Sequence, residues 1–425
     1  MIETRAPASP ATYDPGPNWQ LRYWTIFVGQ ACSLIGSALT QFVLLWWITD
    51  TTGDISALAM AGLAALIPQA LLGPVGGTLA DAYSRRFLMI AADAVSAVCM
   101  VLLIALFLTD RIMLWHAYAL MFVRSAMQAF QAPAAAASTA MLVPESFLPR
   151  AAGFNQTVQG IMTIAAAPLG ALAISVMPIG WALGIDVVTA AVAIIPLLIF
   201  SVPQLRATKS ERLGAWAEFK EGVRFVWNSP ALRRLYALLT VVVVVVMPSF
   251  ALVPLLVKEH FHGGAPDVAI LEGLGGVGMV AGGLLFATIA PRRRVLWIVL
   301  GFAASCLALA FAALSPTGML WLAAVWWFAS GLAYVMGNAP LMTVIQASVP
   351  NQLQGRVLSL LTTVMAVAAP VGLAVATPLG QLIGIRWLFV LMGLAGMIAA
   401  LLGLMSQVLR RVDNPETGLE STCTE

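Results

Sequence analysis

Four ionisable residues stand inside long apolar runs of this sequence: Asp93, Arg124, Asp186 and Glu272. A charge in hydrocarbon costs several kcal/mol unless it is paired or wetted, so each is a candidate for handling a charge or a proton. Gln128 and Gln131 follow Arg124 at i+4 and i+7, which puts all three on one helix face as a polar stripe with no reason to meet lipid. At 1.5 Å per residue, and about nine residues into its run, Arg124 lies near the middle of the membrane. It would hold a carboxylate in its ionised form or touch a substrate; a buried Arg tied to backbone carbonyls is the plainer alternative.

Glu272 follows Asp267 at the start of its run, where it would take up a proton in a dry surrounding and release it when wetted. A first-turn acid favoured by the helix dipole is the competing reading. Asp93 suits a hydrogen-bonding role between helices, and Asp186, close to the outer surface after Gly184, suits packing or capping. Gln30, Ser33, Ser37 and Gln41 form a second polar stripe at helical spacing, and Asn155, Gln159, Asn338 and Gln346 are further amides in apolar runs. Such stripes can hydrogen-bond a ligand or hold helices together. Trp46, Trp47, Trp115 and Trp321 fall near run ends, as interfacial aromatics do. Trp326, Trp327 and Tyr334 lie deeper and, with Met247, Phe250 and Met336, could make an adaptable apolar wall. His116, His260 and His262 fall at run ends or loops, where exposed histidine is incidental, and Cys32, Cys99, Cys306 and Cys423 show no metal or disulfide spacing.

The elements that position these residues follow from composition. Of 425 residues 60% are hydrophobic and only 10% charged, with a mean hydropathy of +0.92. A soluble domain carries roughly 25% charged residues, so a soluble enzyme is excluded. A net charge of +3 gives no reason to expect nucleic acid as a partner. Runs of about 20 apolar residues mark spanning helices. They fall near residues 22 to 48, 56 to 80, 87 to 108, 115 to 142, 151 to 176 and 180 to 201, then 232 to 257, 268 to 290, 295 to 314, 318 to 347, 357 to 383 and 386 to 408, which makes twelve. Eighteen Lys and Arg collect in alternate loops and tails, against Arg111, Lys258 and Arg386 on the other side. Basic residues are retained in the cytoplasm, so both termini are expected there.

The two sets of six spans repeat. Gly76, Gly77 and Leu79 recur as Gly282, Gly283 and Leu285, and Val143, Pro144 and Arg150 as Val349, Pro350 and Arg356, each 206 positions later. An even number of crossings makes the halves parallel. The segment between Pro203 and Pro230 combines charges with Trp216, Phe219, Val223, Phe225, Val226 and Trp227 and is expected to hold an amphipathic helix at the membrane surface, or else a solvated linker. The expected organisation is a tail over residues 1–21, a six-helix half over 22–201, a linker over 202–231, a second half over 232–409 and a tail over 410–425. Pro168 with Gly170 and Pro370 with Gly372 are expected to kink spans five and eleven.

Between spans two and three, the stretch from Gly76 and Gly77 through Thr78, Leu79, Ala80, Asp81, Ala82, Tyr83 and Ser84 to Arg85 and Arg86 resembles the signature loop of the major facilitator superfamily, with Ser84 where that family usually has Gly. GQACSLIGSALTQF, FVRSAMQAFQAPA, ILEGLGGVGMVAGGLL and QGRVLSLLTTVMAVAAPVGL look like its macrolide-efflux branch of drug:proton antiporters, and the likeness runs from about Tyr23 to Leu409. This resemblance implies an all-α membrane protein whose spans one, four, seven and ten line a cavity. It places Gln30, Ser33, Ser37, Gln41, Gln128, Gln131, Asn155, Gln159, Met247, Phe250, Trp326, Tyr334 and Asn338 near substrate, and Glu272, Arg124, Asp93 and Asp186 in proton coupling. It also implies a conformational role for Gly77, Asp81, Arg85, Arg86 and Arg356, with the aspartate bridging to the other half.

The function so implied is export of a small amphipathic substrate in exchange for protons, by a monomer in the bacterial inner membrane, without enzyme activity, metal or cofactor. Export of a siderophore or another metabolite, or movement of a lysophospholipid, is the second reading. A membrane sensor that binds without transporting is the third.

Overall fold

The computed structural model describes residues 16–202, 215–289 and 293–405. The expectations for most of both tails, for the middle of the linker and for Arg292, Arg410 and Arg411 lie outside these residues. Among the described residues all regular structure is helical. Local chemistry sets the breaks between helices. Helix α1 (Trp19–Thr52) ends at Gly53, whose φ of 59° is open to glycine at little cost, and Asp54 then caps α2 (Ile55–Ala82) by accepting from the backbone N–H of Ser56 and Ala57 at 3.2 and 3.3 Å. Ser84 caps α3 (Arg85–Leu108), its Oγ accepting from Phe87 N–H at 3.4 Å. With φ of −60° its backbone suits any residue, so the Ser in a place where Gly is usual carries no strain.

The first group continues with α4 (Leu114–Leu142), α5 (Leu148–Val176) and α6 (Ile179–Ile199). The linker carries α7 (Ala215–Asn228), and the second group comprises α8 (Pro230–His260), α9 (Ala265–Ile289), α10 (Arg294–Leu314), α11 (Leu320–Ser348), α12 (Asn351–Ile383) and α13 (Ile385–Leu402). The 206-residue offset read from short motifs extends to whole elements: α4 and α11 have the same length, 29 residues, and Leu114 and Leu142 map onto Leu320 and Ser348. Packing repeats with it. In the first group α1 lies on α5 and α6, α2 and α3 on α4, and α3 on α6; in the second, α8 lies on α12 and α13, α9 and α10 on α11, and α10 on α13. Gly76 and Gly282 correspond under this offset, and both are sites of close approach. A Cβ on Gly76 would lie 2.1 Å from the Ala129 carbonyl of α4, and one on Gly282 would lie 2.4 Å from the Leu332 carbonyl of α11.

Eleven of the helices are long and apolar enough to cross a membrane. Helix α4 is as long but is not among them, because His116, Arg124, Gln128 and Gln131 dilute its apolar content.

The groups meet through α5 against α9 and α2 against α12, with lesser contacts of α1 and α2 on α8. At the end where α1 and α8 finish, Lys258 Nζ donates to the carbonyls of Thr49 at 3.0 Å and Asp50 at 2.5 Å and pairs with the Asp50 carboxylate at 3.3 Å. Gln381 of α12 donates to the Ser56 hydroxyl of α2 at the same end. At the opposite end residues 152–157 of α5 are exposed at every position.

Arg85 and Arg86 fasten the α2–α3 turn to the C-terminal parts of two helices, and the carbonyls that Arg86 meets are among the last four of α6, which lack helical partners. Arg85 donates to the Ala137 carbonyl of α4 at 2.8 Å, and Arg86 donates to the carbonyls of Leu197 and Leu198 on α6. The side chain of Asp81 lies outside the described set, while Gly77 is free of close neighbours. Arg356 at the start of α12 pairs with Glu221 of α7, and a Cβ on Gly222 would lie 3.1 Å from the Arg356 carbonyl, so the linker helix rests on the second group.

Candidate functional site

Three of the four intramembrane charges converge inside the first group. Close approach of α1 to α6 at Gly36, where a Cβ would fall 2.1 Å from Thr189 Oγ1, lets the neighbouring Ser37 donate to Asp186 at 2.9 Å. On the same carboxylate, Arg124 Nη2 of α4 sits at 3.2 Å. Asp186 is 2% exposed and Arg124 9%, so the pair is buried between helices that are distant in sequence. The expectation that Asp186 serves packing or capping near the outer surface gives way to a role as the counter-ion of Arg124. Asp93 of α3, also buried, accepts from Gln30 Nε2 at 3.2 Å, and Gln30 Oε1 accepts from Gln131 Nε2 at 2.5 Å. A small polar cavity lined by Ser33, Ser37, Asp93, Ser96, Gln128 and Asp186 joins the two carboxylates. Arg124 thus pairs with Asp186, and Asp93 has a neutral amide where Asp186 has a cation.

The fourth charge, Glu272, stands apart. It lies in the wall of a 310 Å³ cavity between the two groups, with no ion-pair partner among the described residues. Gln41, Phe42, Phe250, Trp327 and Tyr334 line the same cavity, and the edge of Phe250 meets the face of Trp327 with centroids 6.4 Å apart. Ser305 and Ser330 add a hydroxyl pair 3.1 Å apart. Among the described residues no cationic side chain lines it. Five amide candidates, Gln30, Gln128, Gln131, Asn155 and Gln159, gather in a second cavity of 260 Å³ inside the first group. The single cavity expected from the sequence is thus divided into this one, the central one and the small polar one at Asp93 and Asp186.

Other candidates fall elsewhere. Trp326 packs on Phe311 with centroids 4.8 Å apart, while its neighbour Trp327 turns to the cavity. Successive helix positions differ by about 100° in direction, so hydropathy could not choose between two adjacent tryptophans. Met247 packs on the apolar core, and Asn338 has a buried Oδ1 without a hydrogen-bond partner; neither is among the residues lining the central cavity. His260, expected to be incidental and exposed, is buried with Nε2 2.9 Å from the Ser315 carbonyl. Tyr23, not singled out in the sequence, lines the second cavity.

Two repeated six-helix groups with a polar cavity between membrane-crossing helices define a membrane transporter. The family model for the Major Facilitator Superfamily matches residues 26–373, and the chain belongs to that superfamily. The chain is 31% identical over 398 residues to macrolide efflux protein A of Streptococcus pyogenes, covering 93% of this chain and 98% of that one. It is 27% identical over 399 residues to the multidrug efflux pump Tap of Mycobacterium tuberculosis, covering 89% and 91%. Its fold is shared with a bacterial homolog of the human lysosomal transporter Spinster, solved in an inward-facing, unoccupied conformation, at a TM-score of 0.66 and 15% identity over 93% of this chain and 97% of the other. It is a multi-pass protein of the bacterial inner membrane.

Proposed function

We propose that this transporter exports amphipathic, macrolide-like compounds in exchange for protons, by alternating access of two six-helix halves spanning 22–201 and 232–409. Helix α4 completes the twelve spans in this reading, because it occupies the position of α11 in the repeat and carries its polar residues toward protein rather than lipid. Both termini are cytoplasmic, so the end closed by Lys258 and Asp50 faces out.

One observation carries the proposal: the cavity between the groups has an aromatic wall of Phe42, Phe250, Trp327 and Tyr334 and a carboxyl, Glu272, with no cation to hold it charged. Its volume of 310 Å³ is at the lower end of ligand pockets, which run from about 300 to 1,000 Å³. An apolar wall accepts varied amphipathic bodies, and an unpaired carboxyl can carry a proton in one access state and give it up in the other. The likeness to efflux proteins over nine-tenths of the chain supports the substrate class and direction.

The test is accumulation of a labelled macrolide in inside-out vesicles with and without an acid interior. Gradient-dependent accumulation is expected, and Glu272→Gln is expected to abolish the dependence on the gradient while substrate binding persists. No accumulation would remove macrolides as the substrate, and unchanged uphill movement in Glu272→Gln would remove that residue from coupling.

A further inference from the structure

The second cavity has a chemistry unlike that of the central one. Of its lining side chains none is charged, five are amides (Gln30, Gln128, Gln131, Asn155 and Gln159), and Ser138 and Thr139 add hydroxyls. Each amide offers both a donor and an acceptor. The apolar lining, with Phe27, Leu34, Met89 and Val158, gives this polar set flat hydrophobic neighbours. A charged ligand group would find no counter-ion here and would bear its full desolvation cost. A neutral group with several hydroxyls would find a partner for each.

Two further observations point to a ligand. Tyr23 lines this cavity and is 1% exposed, yet its buried Oη has no hydrogen-bond partner among the described residues, an expensive state for a hydroxyl. Among the described residues Gln128, Asn155 and Gln159 likewise show no side-chain hydrogen bond, whereas Gln30 and Gln131 are engaged with Asp93 and with each other. The cavity also adjoins the central one along α1: Leu34 belongs to the second and Ala38 to the first, one helical turn or about 6 Å apart.

We propose that the second cavity is a separate subsite for a neutral, polyhydroxylated group of sugar type, borne by an amphipathic substrate whose apolar body occupies the central cavity. This rests on the substrate-export reading above for its purpose, but not for its test. The chain of hydrogen bonds from Gln131 through Gln30 to Asp93 connects the subsite to the carboxylate pair, so an occupant that competes for Gln30 alters the surroundings of Asp93.

The experiment is protection of a cysteine in the lining, with no transport required. The full chain carrying Val158→Cys is labelled with a maleimide in inside-out vesicles, and labelling at residue 158 is read by peptide mass spectrometry. Two probes share a twelve-carbon tail and differ in the head, dodecyl maltoside and dodecyl dimethylamine oxide, each below solubilising concentration. Labelling is expected to slow with the maltoside and not with the amine oxide. Adding Gln128→Leu and Asn155→Leu removes two hydrogen bonds, which weakens the maltoside effect about thirtyfold. Equal protection by both heads, protection by neither, or protection that survives loss of both amides would overturn the proposal. An unprobed labelling rate equal to that of Val158→Cys alone establishes that the amide-deleted variant is folded. Macrolide accumulation can fail while this protection stands, so the two readings are separable.

Discussion

The guanidinium of Arg124 on α4 is held 3.2 Å from the carboxylate of Asp186 on α6, and the Ser37 hydroxyl of α1 donates to the same carboxylate. Three helices are thereby joined at one buried point. Breaking a buried pair from one side leaves a bare charge and costs about 3–5 kcal/mol, whereas removing both charges costs much less. Arg124→Gln and Asp186→Asn are each expected to lower the thermal unfolding midpoint of the purified protein strongly, and the double variant is expected to recover most of the loss. If the single variants melt with the parent, the pair does not hold these helices together.

The contact of Lys258 with the end of α1 differs in kind. Asp50 is exposed at 64% and Lys258 is half-buried at 30%, and ion pairs open to water in this way are worth about 0–1 kcal/mol. Lys258→Met is therefore expected to leave stability nearly unchanged while shifting the balance between access states several-fold. Spin labels at Thr51 and Leu382, on opposite sides of the divide, should show a longer-distance population that the parent lacks. An unchanged distance distribution would mean that the closed end is held by packing alone.

Gly276 sits where α9 meets α5. A Cβ there would lie 2.6 Å from Ile164 Cγ1 and 3.0 Å from its Cα, so a larger residue forces the two groups apart. Gly276→Val is expected to reduce transport at least tenfold, and adding Ile164→Ala is expected to restore part of it, since the nearest clashing atom belongs to the Ile164 side chain. Full activity in Gly276→Val would show that this approach is not needed in the cycle.

Arg356 secures the linker helix through Glu221. In Arg356→Gln, backbone amides of α7 between Ala215 and Asn228 are expected to exchange hydrogen faster than in the parent, with α12 unaffected beyond its first turn. Equal exchange would assign the docking to apolar residues of α7 such as Val226, which is 7% exposed.

Much of this arrangement is legible in the sequence. Periodicity put Arg124, Gln128 and Gln131 on one face because helical spacing is local, and the 206-residue offset survived because close helix contacts keep their glycines and paired loops their prolines. The partner of Arg124 was not legible. Asp186 lies 62 positions away, and the pairing depends on α1 packing closely on α6 at Gly36, a fact about two other elements. The division of the polar residues among separate cavities was hidden for the same reason. Gln30 and Gln41 share helix α1, but they open on different spaces because other helices flank them at different heights. His260 misled because its position near a helix end suggested water, whereas the Ser315 carbonyl closes over it.

The placement of the Arg124 counter-ion on α6 also dictates an order of events during synthesis. Helix α4 leaves the ribosome carrying a cation that costs about 2.5–3.5 kcal/mol at the centre of an insertion-competent helix. Its neutralising carboxylate is not made until two helices later. In the twelve-span reading this cost is relieved only when α6 brings Asp186 against Arg124, so α4 reaches its full stability in the bilayer as part of the packed first half rather than alone.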